Sequence, residues 1–184
     1  MSRFELHTIN NAPEEAKPLL EQANREYGMV PGLYQVMAGS PELLKSYFAL
    51  HELFDKTDLN VDERNLLWLA ISVENECHYC VPAHTAIAKQ QGVSEDIINA
   101  LRDNTPLANT KLEALRTLTL TLIRNRGRAT NEELDVFFNA GFKPRHVLDI
   151  LVGIAQKTLS NYTNHLADTE VDAPFKPFAW NPNK

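Results

Sequence analysis

The chain has 184 residues, of which 43% are hydrophobic and 23% charged, and its formal net charge is −6. These values predict a folded protein with enough chain to bury a core and exclude a wholly disordered one. The acidic balance argues against a general nucleic-acid binder, which neutralises phosphates with lysine and arginine. The longest apolar run, residues 66–71, is far shorter than the roughly 20 residues of a membrane span. The first residues lack the apolar core of a secretion signal, which predicts a cytoplasmic protein.

Helical periodicity runs through most of the sequence and predicts an all-α fold of about seven to eight helices. Helix starts are indicated by prolines and capping residues, and helix ends by glycines. One predicted helix is capped by Asn60 or Asp62 and carries an apolar stripe from Leu66 to Val73. The other predicted helices cover residues 13–27, 41–56, 81–91, 94–102, 111–125, 130–141 and 144–166.

The pattern predicts a single domain over residues 1–184, with an N-terminal extension (1–12) and a C-terminal arm (171–184). Pro174, Pro177 and Pro182 predict that the arm is extended. The arm also carries several large apolar side chains. We therefore expect it to dock on its own subunit or on a neighbour.

The two cysteines, Cys77 and Cys80, are spaced as Cys-x-x-Cys, and they are too few for a disulfide scaffold. Pro82 predicts a helix start close by, so Cys80 lies at a helix N-terminus, where free N–H groups favour a thiolate. His84 follows four residues later and projects from the same helical face. An imidazole there can take the thiol proton. The spacing thus provides an attacking thiol, a resolving thiol and a base.

Several chemistries fit this set of residues. A thiolate can attack a peroxide and become a sulfenic acid, which a second thiol converts to a disulfide. The same pair can perform thiol–disulfide exchange without peroxide. Cys77, Cys80 and His84 could instead be three ligands of a zinc site, with Glu76 or His78 as the fourth. The cysteines could also be inert core residues. Redox chemistry is the favoured interpretation.

Cys77, Cys80 and His84, following the helix that contains residues 66–72, resemble the AhpD-like branch of the carboxymuconolactone decarboxylase family. Residues 30–34, 40–44 and 161–165 resemble other parts of that family, so the resemblance covers roughly residues 30–171. It implies an all-helical homo-oligomer, a trimer or hexamer, with alkylhydroperoxidase or disulfide-reductase activity and no metal, haem or other cofactor.

The resemblance also implies individual roles. Cys80 would attack the peroxide, Cys77 would resolve the product to a disulfide, and His84 would relay protons. A dithiol partner, such as a thioredoxin-like protein or a lipoyl adaptor, would regenerate the thiols. The prediction is therefore an antioxidant oxidoreductase of the peroxidase type. Its rival is a non-peroxidatic thiol–disulfide oxidoreductase or a redox-sensing helical oligomer.

Two positions depart from the family pattern. Asn65 occupies the position of the usual relay glutamate, and Tyr79 replaces a histidine that precedes the second cysteine. On a continuous helix Glu76 would fall within about 20° of the stripe of Asn65, which makes it the best substitute. Glu76, Tyr79 and Asn65 are therefore the candidate proton-relay residues.

Overall fold

The computed structural model describes residues 3–182, and this range contains nine α-helices and one 3₁₀ helix but no β-strand. The predicted all-α class is therefore confirmed. Residues 1–2 and 183–184 of the predicted extension and arm lie outside the described residues. In chain order the helices are α1 (Lys17–Tyr27), α2 (Gly32–Met37), α3 (Pro41–Asp55), α4 (Val61–Glu74), α5 (Cys80–Gln90), α6 (Glu95–Arg102), α7 (Thr110–Arg124), α8 (Asn131–Asn139), α9 (Pro144–Ala167) and the 3₁₀ helix (Ala173–Phe178).

Side-chain caps fix several helix starts where the sequence predicts them. The Ser40 hydroxyl accepts the Leu43 N–H at the start of α3. Asn60, rather than Asp62, caps α4 and forms a reciprocal capping box with Glu63. These caps satisfy N–H groups that have no partner inside the helix, and they depend only on residues close in sequence.

The predicted count of helices is too low because it omits α2. The Pro31-Gly32 pair indicates a turn, but in the structure Pro31 is the N-cap and Gly32 the first residue of a six-residue helix. A Cβ at Gly32 would lie 3.1 Å from the side chain of Thr169, so glycine lets the C-terminal segment approach closely. The helix predicted from residue 13 is also shorter, since α1 begins at Lys17 after a turn.

Helix α4 forms the centre of the fold and packs against α5, α6, α7 and α9. Ten of its residues are buried, on every side of the helix, as expected for a helix that is apolar all round. A second, smaller cluster packs α1, α2 and α3 against the turn that carries the two cysteines. The cysteines therefore lie where the two clusters meet. No helix within residues 3–182 is long and apolar enough to cross a membrane.

The prediction of an extended C-terminal arm is wrong, because residues 173–178 form the 3₁₀ helix. The arm docks on its own chain. Trp180 Nε1 donates to the carbonyl oxygen of Arg102 at 3.0 Å. The Arg102 guanidinium in turn donates to the carbonyl oxygens of Phe178 and Ala179. Prolines remove backbone donors, and here the arm is held through its carbonyl groups and side chains instead.

Candidate active site

Cys80 is the first residue of α5, and Cys77 lies in the turn between α4 and α5. Both thiols are free and buried. The chain reverses at Glu76, which has a left-handed φ of 52°, and the Cys77 N–H returns to the carbonyl oxygen of Ser72 at 2.9 Å. The Cys80 N–H then donates to Cys77 Sγ at 3.3 Å. The turn therefore brings the two sulfur atoms together at a helix N-terminus.

The surroundings of Cys80 stabilise a thiolate. Asn164 Nδ2 donates to Cys80 Sγ at 3.3 Å. Burial by itself raises the pKa of the Cys80 thiol, but other contacts outweigh it and lower the pKa to about 5. These contacts are a hydrogen bond from Cys77, the positive charge of Lys157, and hydrogen bonds from Asn161 and Asn164. The hydrogen bond to Cys80 and burial raise the pKa of Cys77. The pair is thus asymmetric, with Cys80 the thiolate and Cys77 the thiol.

His84 lies one turn after Cys80 on α5, but its ring is hydrogen-bonded to Lys157. Lys157 Nζ is 2.6 Å from His84 Nε2. Burial, the charge of Lys157 and the neighbouring His51 hold the pKa of His84 well below 6.5. A lysine ammonium has donors only, so Nε2 accepts and the proton of the neutral ring lies on Nδ1. His84 Nδ1 is buried and has no hydrogen-bond partner among the described residues.

An aromatic stack fixes the orientation of His84. The Trp68 indole lies between two imidazoles, with ring centroids 5.3 Å from His84 and 5.6 Å from His51. Trp68 Nε1 donates to Gln156 Oε1 at 2.7 Å. Gln156 Nε2 is 3.0 Å from His51 Nδ1. Helices α3, α4, α5 and α9 thus each contribute at least one side chain to a connected network around the site.

The three candidate relay residues lie in different places. Tyr79 lines the cavity that contains Cys80, and its hydroxyl donates to Asp172 and accepts the Leu33 N–H. Asn65 is buried and does not line that cavity; its Nδ2 donates to Gln91, which does, and to the Val61 carbonyl oxygen.

Glu76 is exposed and lines a separate cleft with Arg102 and Trp180. Because α4 ends at Glu74, the helical projection that relates Glu76 to Asn65 does not apply. Of the three, Tyr79 alone is brought into the cavity with Cys80.

A cavity of about 440 Å³ opens onto the site, and Cys80, His84 and Lys157 form part of its wall. Six other residues of the wall are aromatic: Tyr27, Tyr34, Tyr47, Trp68, Tyr79 and Phe175. Within residues 3–182 there is no cluster of three histidine, cysteine, aspartate or glutamate residues arranged to hold a metal ion. The cavity is large enough for a small organic molecule and presents it with one thiolate.

The sequence interpretation missed Lys157, Asn161 and Asn164. They are spaced by four and three residues on α9, so they share one helical face, and all three are buried. The spacing of four residues also predicts that Asn161 shares a helical face with His165, but His165 is exposed in the structure. The available signal was the spacing of these three polar residues, which places them on one face of a predicted helix.

Residues 41–118 match the profile of the carboxymuconolactone decarboxylase family. This segment contains the two cysteines and His84. The comparison with curated proteins finds no match.

Solved structures share the fold over nearly the whole chain. One of them is an uncharacterised peroxidase-related protein from Ralstonia eutropha JMP134, described as an alkylhydroperoxidase AhpD core. Its sequence is 21% identical, and the superposition has a TM-score of 0.84 and covers 95% of this chain and 94% of that one. A peroxidase-related protein from Silicibacter sp. TM1040 is 20% identical with a TM-score of 0.79, covering 95% and 93%.

A cysteine-to-alanine variant of the debrominase Bmp8, in complex with 2,3,4-tribromopyrrole, is 15% identical with a TM-score of 0.74, covering 96% of this chain and 97% of that one. At these identities the likeness concerns the fold. The comparisons therefore show that the chain has the AhpD-like fold and that its residues 41–118 are similar to the carboxymuconolactone decarboxylase family.

Proposed function

We propose that this protein is a thiol-dependent peroxidase that reduces organic hydroperoxides, with Cys80 as the attacking thiolate and Cys77 as the resolving thiol. The observation that carries the proposal is the asymmetry of the pair at the wall of a cavity. The pKa of Cys80 is lowered to about 5, whereas that of Cys77 is raised. A peroxidase needs one sulfur that is ionised near neutral pH and a second that remains available as a thiol. The peroxidase-related names of two structural neighbours agree with this proposal.

The reaction proceeds in three balanced steps. The Cys80 thiolate attacks the terminal peroxide oxygen, the O–O bond breaks, and the departing alkoxide takes a proton to leave as an alcohol. Cys80 is then a sulfenic acid. Cys77 attacks the oxidised sulfur, a disulfide forms, and water leaves. An external dithiol finally reduces the disulfide by exchange. The Lys157 ammonium, which lines the cavity together with Cys80, is a candidate source of the first proton.

The physiological reductant and the assembly are part of the proposal. A thioredoxin-like protein or a lipoyl adaptor would supply the dithiol. The assembly would be a homo-oligomer, a trimer or hexamer. Its support is the set of large apolar side chains left exposed along α9, namely Leu148, Leu151, Tyr162 and Leu166.

A second candidate is thiol-dependent removal of bromide from a brominated aromatic ring. The six aromatic side chains in the cavity wall favour it, as does the fold shared with a debrominase that binds a brominated pyrrole. In this reaction the Cys80 thiolate takes bromine from carbon, and the ring carbanion takes a proton. The Cys77 thiol then displaces bromide and forms the disulfide. The dithiol loses two electrons and the C–Br bond is replaced by C–H.

The deciding experiment mixes fully reduced protein with cumene hydroperoxide, hydrogen peroxide or 2,3,4-tribromopyrrole in separate stopped-flow runs, and counts thiols and products. The peroxidase proposal predicts one alcohol formed and two thiols lost per chain with cumene hydroperoxide. Cys80→Ser should abolish the reaction. In Cys77→Ser the reaction should stop at a Cys80 sulfenic acid, which dimedone traps.

Release of bromide from tribromopyrrole without consumption of hydroperoxide would replace the first proposal with the second. Slow reaction with every substrate, together with a change of oligomeric state on oxidation, would favour a redox sensor and refute both.

A further inference from the structure

Lys157 is a buried cation without a carboxylate partner. Its side chain is fully buried in the middle of α9, and none of the ion pairs within residues 3–182 includes it. Burying an ammonium costs several kcal/mol unless an opposite charge or hydrogen bonds offset the loss of water. Its one side-chain hydrogen bond in this part of the chain, to His84, supplies no negative charge.

The cavity that Lys157 lines is also lined by His51 and Tyr47 from α3, Trp68 from α4, and Cys80 and His84 from α5. The charge of Lys157 also acts on Cys77 in the turn before α5, but the hydrogen bond to Cys80 and burial raise the pKa of that thiol. Burial and neighbouring groups keep the two imidazoles neutral, because they lower the pKa of both histidines.

Burial raises the pKa of the Tyr47 hydroxyl, so Tyr47 is neutral as well. Glu26 and Asp55 also line the cavity, but neither lies within ion-pair distance of Lys157. Cys80 is therefore the negative group that remains to balance the ammonium.

We infer that Lys157 is a positioning residue of the thiol site: its ammonium is the counter-ion that holds Cys80 as a thiolate, and its hydrogen bond to Nε2 holds His84 as the neutral Nδ1–H tautomer. The sequence predicts the imidazole of His84 as the base and cation beside the thiol. In the structure the cation is the lysine, and His84 presents an N–H donor. The Nδ1–H group of His84 is then a buried donor without a partner among the described residues.

This inference rests on the proposed function only for the role of the His84 N–H group during turnover. The charge balance between Lys157 and Cys80 exists in the reduced protein before any substrate binds. It can therefore be tested without peroxide.

The experiment compares Lys157→Met, which keeps the approximate length of the side chain and removes the charge, with Lys157→Arg, which keeps the charge. Lys45→Met, on the exposed face of α3, controls for the change in net charge. Iodoacetamide labelling of Cys80 is followed by intact mass from pH 4 to pH 9, and circular dichroism checks that each variant is folded. An opposite charge at close range lowers a pKa by about one to three units.

We expect the labelling midpoint of Lys157→Met to rise by about one pH unit or more. Lys45→Met should keep the wild-type midpoint, and the midpoint of Lys157→Arg should be closer to the wild-type value than that of Lys157→Met. A folded Lys157→Met with the wild-type midpoint would overturn the inference. If Lys157→Met does not fold, ¹⁵N shifts of His84 in the wild-type protein decide instead. A neutral ring protonated at Nδ1 from pH 5 to pH 8 is expected, and an imidazolium at pH 7 would overturn the inference.

The two proposals fail separately. A raised midpoint in Lys157→Met, in a protein that consumes no hydroperoxide, would support the role of Lys157 and refute the peroxidase. Rapid hydroperoxide reduction by the wild-type protein, together with an unchanged labelling midpoint in Lys157→Met, would support the peroxidase and refute the role of Lys157.

Discussion

Removal of the Asn164 amide tests how the protein holds a thiolate at a buried position. Asn164 Nδ2 donates to Cys80 Sγ at 3.3 Å, and the pKa of Cys80 is lowered from 9.0 to about 5. A hydrogen bond to a charged group contributes about 1.5–3 kcal/mol, and one pKa unit corresponds to about 1.4 kcal/mol. Because the amide stabilises the anion, its loss in Asn164→Leu should raise the pKa by about one to two units, to roughly 6–7.

The assay is the pH dependence of Cys80 alkylation by iodoacetamide in the reduced protein. The midpoint should move to higher pH. The rate above pH 8, where both proteins are ionised, should rise about 2.5- to tenfold in Asn164→Leu, because a thiolate of higher pKa is the better nucleophile. Below pH 5 the variant should be slower, so the two curves cross. This crossing distinguishes a change in pKa from a change in access to the cavity.

Asn164→Leu should cost the fold little, because Asn164 Oδ1 is buried without a hydrogen-bond partner in the described residues. His165→Leu, at an exposed position of the same helix, is the matched control and should leave the midpoint unchanged. An Asn164→Leu midpoint equal to that of the wild type would refute the reasoning. So would a wild-type midpoint near ~8.5, the value of a free cysteine.

Other substitutions test packing and the cavity wall. Gly153→Ala places a methyl group 2.9 Å from Phe54 Cε2, and urea denaturation should show a free energy of unfolding lower by about 1–3 kcal/mol through overpacking. Trp68→Phe removes the N–H donor to the buried Gln156 amide oxygen and should lower the free energy of unfolding by about 1–3 kcal/mol in the same assay. An unchanged free energy of unfolding in either variant would contradict the packing described. Tyr79→Phe removes the bond to Asp172 and should raise KM for cumene hydroperoxide with little change in kcat, whereas a loss confined to kcat would indicate a chemical role.

Local sequence determined the helical class and the position of the cysteines. Helix starts such as those at Ser40 and Asn60 follow from side chains that bond N–H groups three residues away. Cys80 lies at the start of α5, as the position of Pro82 predicts. Such signals act over a few residues, so they can be recognised from the sequence alone. The short helix α2 was not predicted because a Pro-Gly pair favours a turn as much as a helix start.

The composition of the site was decided by tertiary structure. Lys157 lies 73 residues from its partner His84, and Asn164 lies 84 residues from Cys80. Helix α9 brings them there by packing on α3 and α4. Nothing in the cysteine segment itself indicates that a lysine, rather than a histidine, faces the thiolate. The same packing leaves Glu76 on the surface.

The sequence by itself determined that this protein is a helical bundle with a Cys-x-x-Cys pair at a helix start. Only the tertiary structure decided which charges, amides and aromatic rings surround that pair. The physical reason is that capping and periodicity are local, whereas the electrostatic field at a buried sulfur comes from groups that are distant in sequence and close in space.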